Sequence, residues 1–127
     1  MKKIIETPNA PAAIGTYSQA VQAGNTIYIS GQIPLNPKTM KLITTDFSAQ
    51  ARQVFENVKA VALAAGGDLS HIVKLTIYLC DMNQFAIVNE IMATYFEKPY
   101  PARAVVEISR LPKEALIEID AVMVMVV

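Results

Sequence analysis

The hydrophobic and polar positions of the chain divide it into short strand-like runs and two longer helix-like stretches. A turn signal, Ala23-Gly24-Asn25, separates the first two runs and predicts a hairpin over residues 18–30. The first five residues fit a further short edge strand. Runs rich in β-branched and aromatic residues predict the remaining strands at 72–79, 103–109 and 115–126.

Two helices are predicted between these strands. The first covers about residues 47–65, where apolar residues recur at helical spacing, and Asp46 is its predicted N-cap. The second covers about residues 82–97. Its predicted N-cap is Asp81, with Gln84 three residues on as the partner in a capping box.

The resulting order of elements is strand, strand, helix, strand, helix, strand, strand. This order predicts an α+β fold in which two helices cover one face of a mixed sheet. The length of 127 residues fits one domain spanning 1–127. The last strand is rich in Ala, Val and Met, which indicates that another subunit covers the second face of the sheet.

Composition narrows the possible partners and the compartment. The chain has 11 Lys and Arg against 11 Asp and Glu, which argues against a nucleic-acid partner held by bulk electrostatics. The hydrophobic fraction is 53%, above the usual value of about 45–50%, so part of the surface is expected at a subunit interface. One cysteine fits a reduced, cytoplasmic compartment. No apolar run approaches the roughly 20 residues of a membrane span, and no signal peptide is recognisable.

Few residues offer chemistry. His71 is interpreted as the start of a strand and Cys80 as a small core residue, and their spacing predicts no metal site. Arg103 and Glu118 stand within two otherwise apolar strands. Such charges can guard an edge strand against aggregation. Alternatively they face each other across a small site, where Arg103 would bind a carboxylate and a desolvated Glu118 would exchange protons with water. The pattern alone leaves both readings open.

Three segments carry a resemblance to a known family. APAAIGTYSQA (10–20), SGQIPLNP (30–37) and PARAVVEISRLPKEALIEIDA (101–121) closely resemble the Rid family, also called YjgF, and within it the RidA subgroup. The likeness covers nearly the whole chain. It implies a chorismate-mutase-like α+β fold. It also implies a homotrimer built around a central barrel, with sites in the clefts between subunits.

The resemblance also implies an activity. Family members hydrolyse small carboxylate-bearing imines, such as 2-iminobutanoate and 2-iminopropanoate, to 2-oxo acids and ammonia without a cofactor. These imines are released by pyridoxal-phosphate enzymes such as threonine dehydratase. Two alternatives stay open: a trimer that binds or senses 2-oxo acids without catalysis, and the ribonuclease or translation-inhibitor activity that family members have been assigned. Neutral net charge argues against the latter.

The resemblance assigns roles to particular positions. Arg103 would bind the substrate carboxylate and Glu118 would position the attacking water. The remaining implied pocket residues are Tyr17, Ser30, Gly31, Asn89 and Val105. Some positions depart from the family pattern: Val105 stands where Cys is common, Thr16 where Pro is usual, Ala20 where Gly is frequent, Met40 where a turn Gly is frequent and Asp120 where Glu is common. These departures leave the preferred imine side chain and the pathway open.

Overall fold

A computed structural model describes residues 2–125 as one mixed sheet with two α-helices. The elements, in chain order, are β1 (Lys2–Ile5), β2 (Ala20–Ala23), β3 (Thr26–Gln32), α1 (Phe47–Ala64), β4 (Ile72–Leu79), α2 (Phe85–Tyr95), β5 (Ala102–Glu107) and β6 (Ile117–Val124). The predicted α+β class and the predicted order of elements are therefore confirmed. The end of the predicted last strand, at 126, lies outside the described residues.

The strands lie in the order β1-β2-β3-β6-β4-β5. Neighbours are antiparallel except β4 and β5, which are parallel because α2 carries the chain back between them. The last strand of the chain, β6, is therefore central in the sheet, whereas β5 is an edge strand. This placement decides the surroundings of the charged residues on both strands.

The core lies between one face of the sheet and the two helices. In β6 every second residue is buried, as expected for a strand with one face against a core. Phe55 of α1 is fully buried, stacks on Tyr95 of α2 with ring centroids 5.2 Å apart, and meets Phe96 edge-on. We call this side the helix face, and the opposite side, which carries Tyr28, Tyr78, Glu118 and Asp120, the open face.

The predicted start of α1 is confirmed and that of α2 is wrong. Asp46 caps α1, since its side chain accepts a hydrogen bond from the Ala49 amide at 2.9 Å. Asp81 instead caps a short 3₁₀ turn at Met82–Gln84, and α2 begins only at Phe85. The predicted capping box is absent here, because Gln84 itself occupies the N-cap position of α2 and makes no side-chain cap hydrogen bond. The Met82 amide donates to the Glu107 carboxylate at 2.8 Å, which ties this turn to β5.

Three local interpretations also change. His71 does not start β4; it ends a 3₁₀ turn, and its Nδ1 accepts from the Asp68 amide in a capping box. Cys80 follows β4 and is only half-buried, with its thiol 3.6 Å from the Ala115 carbonyl. Met40 adopts a φ of 59°, a left-handed conformation that favours glycine, which is the residue that the resemblance places there. In the part of the chain described, no helix is both long and apolar enough to cross a bilayer.

Candidate functional site

The two charged residues singled out in the sequence lie on opposite faces of the sheet. Arg103 pairs with Leu75 in the β4–β5 ladder, and Leu75 is buried beneath the helices. Glu118 pairs with Tyr78 in the β4–β6 ladder, on the open face. Directly paired residues point to the same side of a sheet. Within one chain, the hypothesis that Arg103 and Glu118 face each other across a small site is therefore wrong.

The edge-guard reading also fails for Glu118. Its strand, β6, is hydrogen-bonded on both sides, to β3 and to β4, and so has no free edge. Arg103 does belong to an edge strand, but its side chain points to α2 rather than along the edge. Edge protection therefore does not explain Glu118, and it stays open as a reading of Arg103.

Arg103 belongs to a first cluster, the arginine half-site, formed by β5 and α2. Its Nη1 donates to Asn89 Oδ1 at 2.5 Å and lies 3.7 Å from Met92 Sδ, and its Cζ lies 5.2 Å from the centre of the Phe85 ring. These three contacts all come from α2 and hold the guanidinium against that helix. A guanidinium has five N–H donors, so the others can bind a planar carboxylate in two-point fashion.

The arginine half-site opens into a cleft. This cleft has a volume of about 500 Å³ and is lined by Asn89, Met92, Ala93, Tyr100, Pro101 and Arg103. Val105 is on the same face of β5, two residues beyond Arg103, and packs against the core. The structure thus brings together three of the residues implied by the resemblance: Asn89, Arg103 and Val105.

Glu118 belongs to a second cluster, the glutamate half-site, on the open face. Ser30 and Gly31 form a bulge in β3, because Ile29 pairs with Ala121 whereas Gln32 pairs with Ile119. A side-chain carbon added at Gly31 would lie only 2.8 Å from the carboxyl carbon of Glu118. Gly31 is therefore the residue that leaves room for the Glu118 side chain.

Burial and a neighbouring charge both act on Glu118. Partial burial raises the pKa of the Glu118 carboxyl, and the negative charge of Asp120 raises it further. Asp120 accepts a hydrogen bond from the Tyr78 hydroxyl at 2.9 Å. The pKa of Tyr78 is raised, mainly by this hydrogen bond and also by burial. The glutamate half-site thus contains a carboxyl that binds a proton more readily than an ordinary glutamate.

Tyr17 is connected to the glutamate half-site through Ser30. The Ser30 hydroxyl donates to the Ser18 carbonyl at 2.6 Å, which joins the bulge to the segment carrying Tyr17. Tyr17 is 48% exposed, and its hydroxyl accepts from the Ile14 amide at 3.3 Å. The ring lines a second cleft of about 480 Å³ with residues 6–8, 12–13 and 18–19. Within residues 2–125, Tyr17 makes no hydrogen bond to Glu118.

Three residues that hold these clusters or the N-terminal loop were not assigned a role from the sequence. Tyr78 anchors Asp120, and Phe85 lies against Arg103. Gln19 is buried and holds the N-terminal loop, donating to the carbonyls of Thr7, Ala10 and Pro11 and accepting from the Thr7 amide. The period-two pattern of β6 already places Asp120 beside Glu118. The other contacts depend on pairings distant in sequence, which no local pattern contains.

The fold and the two half-sites define a class: a small α+β protein with an arginine cluster on one face of its sheet and a half-buried carboxyl of raised pKa on the other. Comparison with known proteins identifies the family. The family described as Endoribonuclease L-PSP matches residues 7–125. The 2-iminobutanoate/2-iminopropanoate deaminase of Escherichia coli strain K12 is 50% identical over 127 residues, covering 98% of each chain.

Solved structures agree with this match. RidA from the Antarctic bacterium Psychrobacter sp. PAMC 21119 superposes with a TM-score of 0.94 at 50% identity, covering 97% of this chain and 99% of the other. Escherichia coli TdcF, in a crystal structure with bound serine, gives a TM-score of 0.92 at 44% identity over 98% of this chain and 99% of that chain. The protein belongs to the Rid family, also called YjgF, as its sequence predicted.

Proposed function

We propose that the protein is an imine deaminase that hydrolyses 2-iminobutanoate and 2-iminopropanoate to the corresponding 2-oxo acids and ammonia. The observation that carries the proposal is the half-buried Glu118 carboxyl, whose pKa is raised and whose space is made by Gly31. The name of the 50% identical Escherichia coli relative supports the substrate. Arg103 supplies the group that such a carboxylate-bearing substrate would need.

The proposed active unit is a homotrimer with sites between subunits. One chain carries the arginine half-site and the glutamate half-site on opposite faces of its sheet, so a single small ligand cannot contact both in that chain. A head-to-tail ring of identical subunits places one face of each subunit against a different face of the next. Such a ring would let Arg103 of one subunit and Glu118 of its neighbour act on the same substrate.

The proposed reaction is hydrolysis of a C=N bond. Arg103 binds the substrate carboxylate, with Asn89 holding the guanidinium. In the protonated imine, the oxygen of a water held by Glu118 attacks the carbon, the C=N electron pair moves to nitrogen, and Glu118 takes one proton of the water, which leaves a neutral carbinolamine. Glu118 then gives this proton to the amine nitrogen, and the C–N bond breaks as the C=O bond forms. Glu118 takes the hydroxyl proton as ammonia departs and releases it to solvent.

The proposed setting follows from this chemistry. An iminium carbon is already electrophilic and hydrolysis transfers no electrons overall, so the proposed reaction calls for no metal or organic cofactor. The substrates would be released by pyridoxal-phosphate enzymes such as threonine dehydratase. A cytoplasmic location would bring the protein to that source, and no nucleic acid or membrane is part of the proposed function.

An imine-trapping assay tests the proposal. An amino-acid oxidase generates the imine, semicarbazide competes for it, and the rate of semicarbazone formation is followed. We expect wild-type protein to suppress semicarbazone formation, and Glu118→Gln to lower kcat/KM by about 10²–10⁴-fold through loss of proton transfer. Exposed Glu56 on α1 provides the matched control, and Glu56→Gln should retain full activity. Wild-type protein that leaves several imines untouched would refute the deaminase.

A binding or sensing trimer without catalysis is the second candidate. The bound serine in Escherichia coli TdcF, a 44% identical relative, favours recognition of a small α-carboxylate. Arg103 would serve such a protein equally well. If the wild-type protein binds 2-oxobutanoate in calorimetry, loses this binding on Arg103→Ala and shows no imine hydrolysis, this second candidate replaces the first.

A further inference from the structure

Three polar side chains meet on the open face where β4 and β6 pair. Glu118 and Asp120 are two residues apart on β6 and therefore point to the same side. Tyr78 of β4 lies directly opposite Glu118 in the ladder. Its hydroxyl reaches diagonally along the sheet and donates to Asp120 Oδ2 at 2.9 Å. The Asp120 carboxylate is therefore fixed next to Glu118 by a residue 42 positions away in the sequence.

Few other charges face Glu118. From β3 come Gly31 and the phenol of Tyr28, which stands opposite Val122. From β4 comes Lys74, which also stands opposite Val122, four residues or about 13 Å along the strand from Glu118. The helices pack on the other face of the sheet. Among the strand residues that the structure describes, Asp120 is thus the nearest charge facing Glu118 on the open face.

We propose that Asp120, anchored by Tyr78, is a positioning residue that keeps Glu118 a stronger proton acceptor than its half-buried place alone would make it. The inference rests on the proposed deaminase, in which Glu118 takes a proton from water. A hydroxyl that donates to a carboxylate fixes the position of that carboxylate. A fixed negative charge beside a second carboxylate in turn favours proton binding by that neighbour. The raised pKa of Glu118 agrees in direction, with burial as its larger cause and Asp120 as its second.

Direct titration of Glu118 tests this without any substrate. The full-length protein is labelled with carboxyl-¹³C glutamate, the Glu118 signal is assigned by its loss in Glu118→Gln, and its chemical shift is followed against pH. Asp120→Asn should lower the Glu118 pKa, and Tyr78→Phe should lower it by less. In the Asp120→Asn background, Tyr78→Phe should have no further effect, because the hydroxyl acts only through the Asp120 charge.

Two variants serve as controls. Asp120→Glu keeps the charge and should keep the Glu118 pKa closer to wild type than Asp120→Asn does. Tyr28→Phe removes a hydroxyl from the same face, where the side chain is 55% exposed, and should leave the titration unchanged. Circular dichroism of each variant establishes that it folds. A Glu118 titration that is the same in wild type, Asp120→Asn and Tyr78→Phe would overturn the inference.

The pH profile of kcat/KM in the trapping assay adds a readout of function. Asp120→Asn should move the rise of activity with pH to lower pH, and Asp120→Glu should restore it. If wild type shows no imine hydrolysis while Asp120→Asn still shifts the Glu118 pKa, the deaminase fails and the electrostatic coupling alone stands. If the enzyme is active and its profile is identical in Asp120→Asn, the positioning role is refuted.

Discussion

Replacing Gly31 by alanine measures how tightly the glutamate half-site is built. The added carbon would lie 2.8 Å from the carboxyl carbon of Glu118 and 3.2 Å from its Cγ. Ordinary contact between such atoms needs about 3.5–4.0 Å, so the carboxyl carbon would have to move by about 0.7–1.2 Å. Misplacement of a catalytic group by about 1 Å can cost about 10²-fold in rate. We therefore expect Gly31→Ala to lower kcat/KM about 100-fold in the imine-trapping assay.

The same substitution should have a smaller effect on stability. Gly31 is not in the left-handed region, so alanine can adopt its backbone conformation. The crowded atoms are the carboxyl end of a flexible side chain, so crowding should cost about 1 kcal/mol, the low end of the penalty for overpacking. It is partly offset by about 0.4–1 kcal/mol from the lower entropy of the unfolded chain. In a Glu118→Ala background the crowding partner is gone, and Gly31→Ala should no longer lower the free energy of unfolding measured in urea.

Gly15 provides the matched control for this experiment. A side-chain carbon added there would meet the Tyr17 ring at 3.6 Å, which is ordinary contact. Gly15→Ala should therefore leave kcat/KM unchanged within experimental error. If Gly31→Ala retained wild-type kcat/KM and its stability were unaffected in either background, the close approach of Gly31 and Glu118 would not exist in solution.

Further predictions follow from the burial and contacts of single residues. Asn89→Ala should raise KM about tenfold, because it removes the hydrogen bond that holds the Arg103 guanidinium. This is the low end of the free energy of a hydrogen bond to a charged group, since Arg103 is exposed. An unchanged KM in the trapping assay would contradict the prediction. Phe55→Ala should lower the free energy of unfolding by about 3–5 kcal/mol, whereas Leu63→Ala, at a side chain 55% exposed, should change it by less than about 0.5 kcal/mol in the same urea titration. The pKa of Glu118 is raised in the folded protein, so folding disfavours the ionised form of this side chain. Relative to Glu118→Gln, the wild-type protein should therefore lose stability as pH rises from below 4.5, the ordinary pKa, through the folded-state pKa. Equal slopes of stability against pH in the two proteins would contradict this.

The fold could largely be predicted because its elements carry strong local signals. The helix predicted at about 47–65 is observed as α1 at Phe47–Ala64, with Asp46 as its N-cap. Helical spacing, a capping residue and the glycine pair at 66–67 all mark this segment in the sequence. The predicted start of α2 was wrong because the Asp81 side chain accepts a hydrogen bond from the Asn83 amide in a tighter, 3₁₀ turn. Asp81 could cap either an α-helix or a 3₁₀ turn. The hydrogen bond from the Met82 amide to Glu107 of the distant strand β5 helps to hold the 3₁₀ turn.

The candidate site could be predicted only in part. Alternation along β6 is enough to place Glu118 and Asp120 on one face, and the structure has them on one face. The face on which Arg103 lies depends on its pairing with Leu75, a contact between strands separated by α2. Because no periodicity within residues 103–109 contains that pairing, the sequence could suggest that Arg103 and Glu118 act together but not that one chain holds them apart.

Mixing two inactive variants decides whether neighbouring subunits share each site. In a cyclic trimer, each shared site takes Glu118 from one subunit and Arg103 from the next. An Arg103→Ala subunit still supplies Glu118, and a Glu118→Gln subunit still supplies Arg103. A site is therefore complete where an Arg103→Ala subunit precedes a Glu118→Gln subunit. After random reassembly of equal amounts, about a quarter of the interfaces have this arrangement, so about a quarter of wild-type activity should return although each variant alone is inactive. If both groups acted from the same chain, every subunit in the mixture would lack one of them and no activity would return. Because the ladders place Arg103 and Glu118 on opposite faces, we expect recovery. Its absence in a mixture that native mass spectrometry shows to contain mixed trimers would refute the shared site.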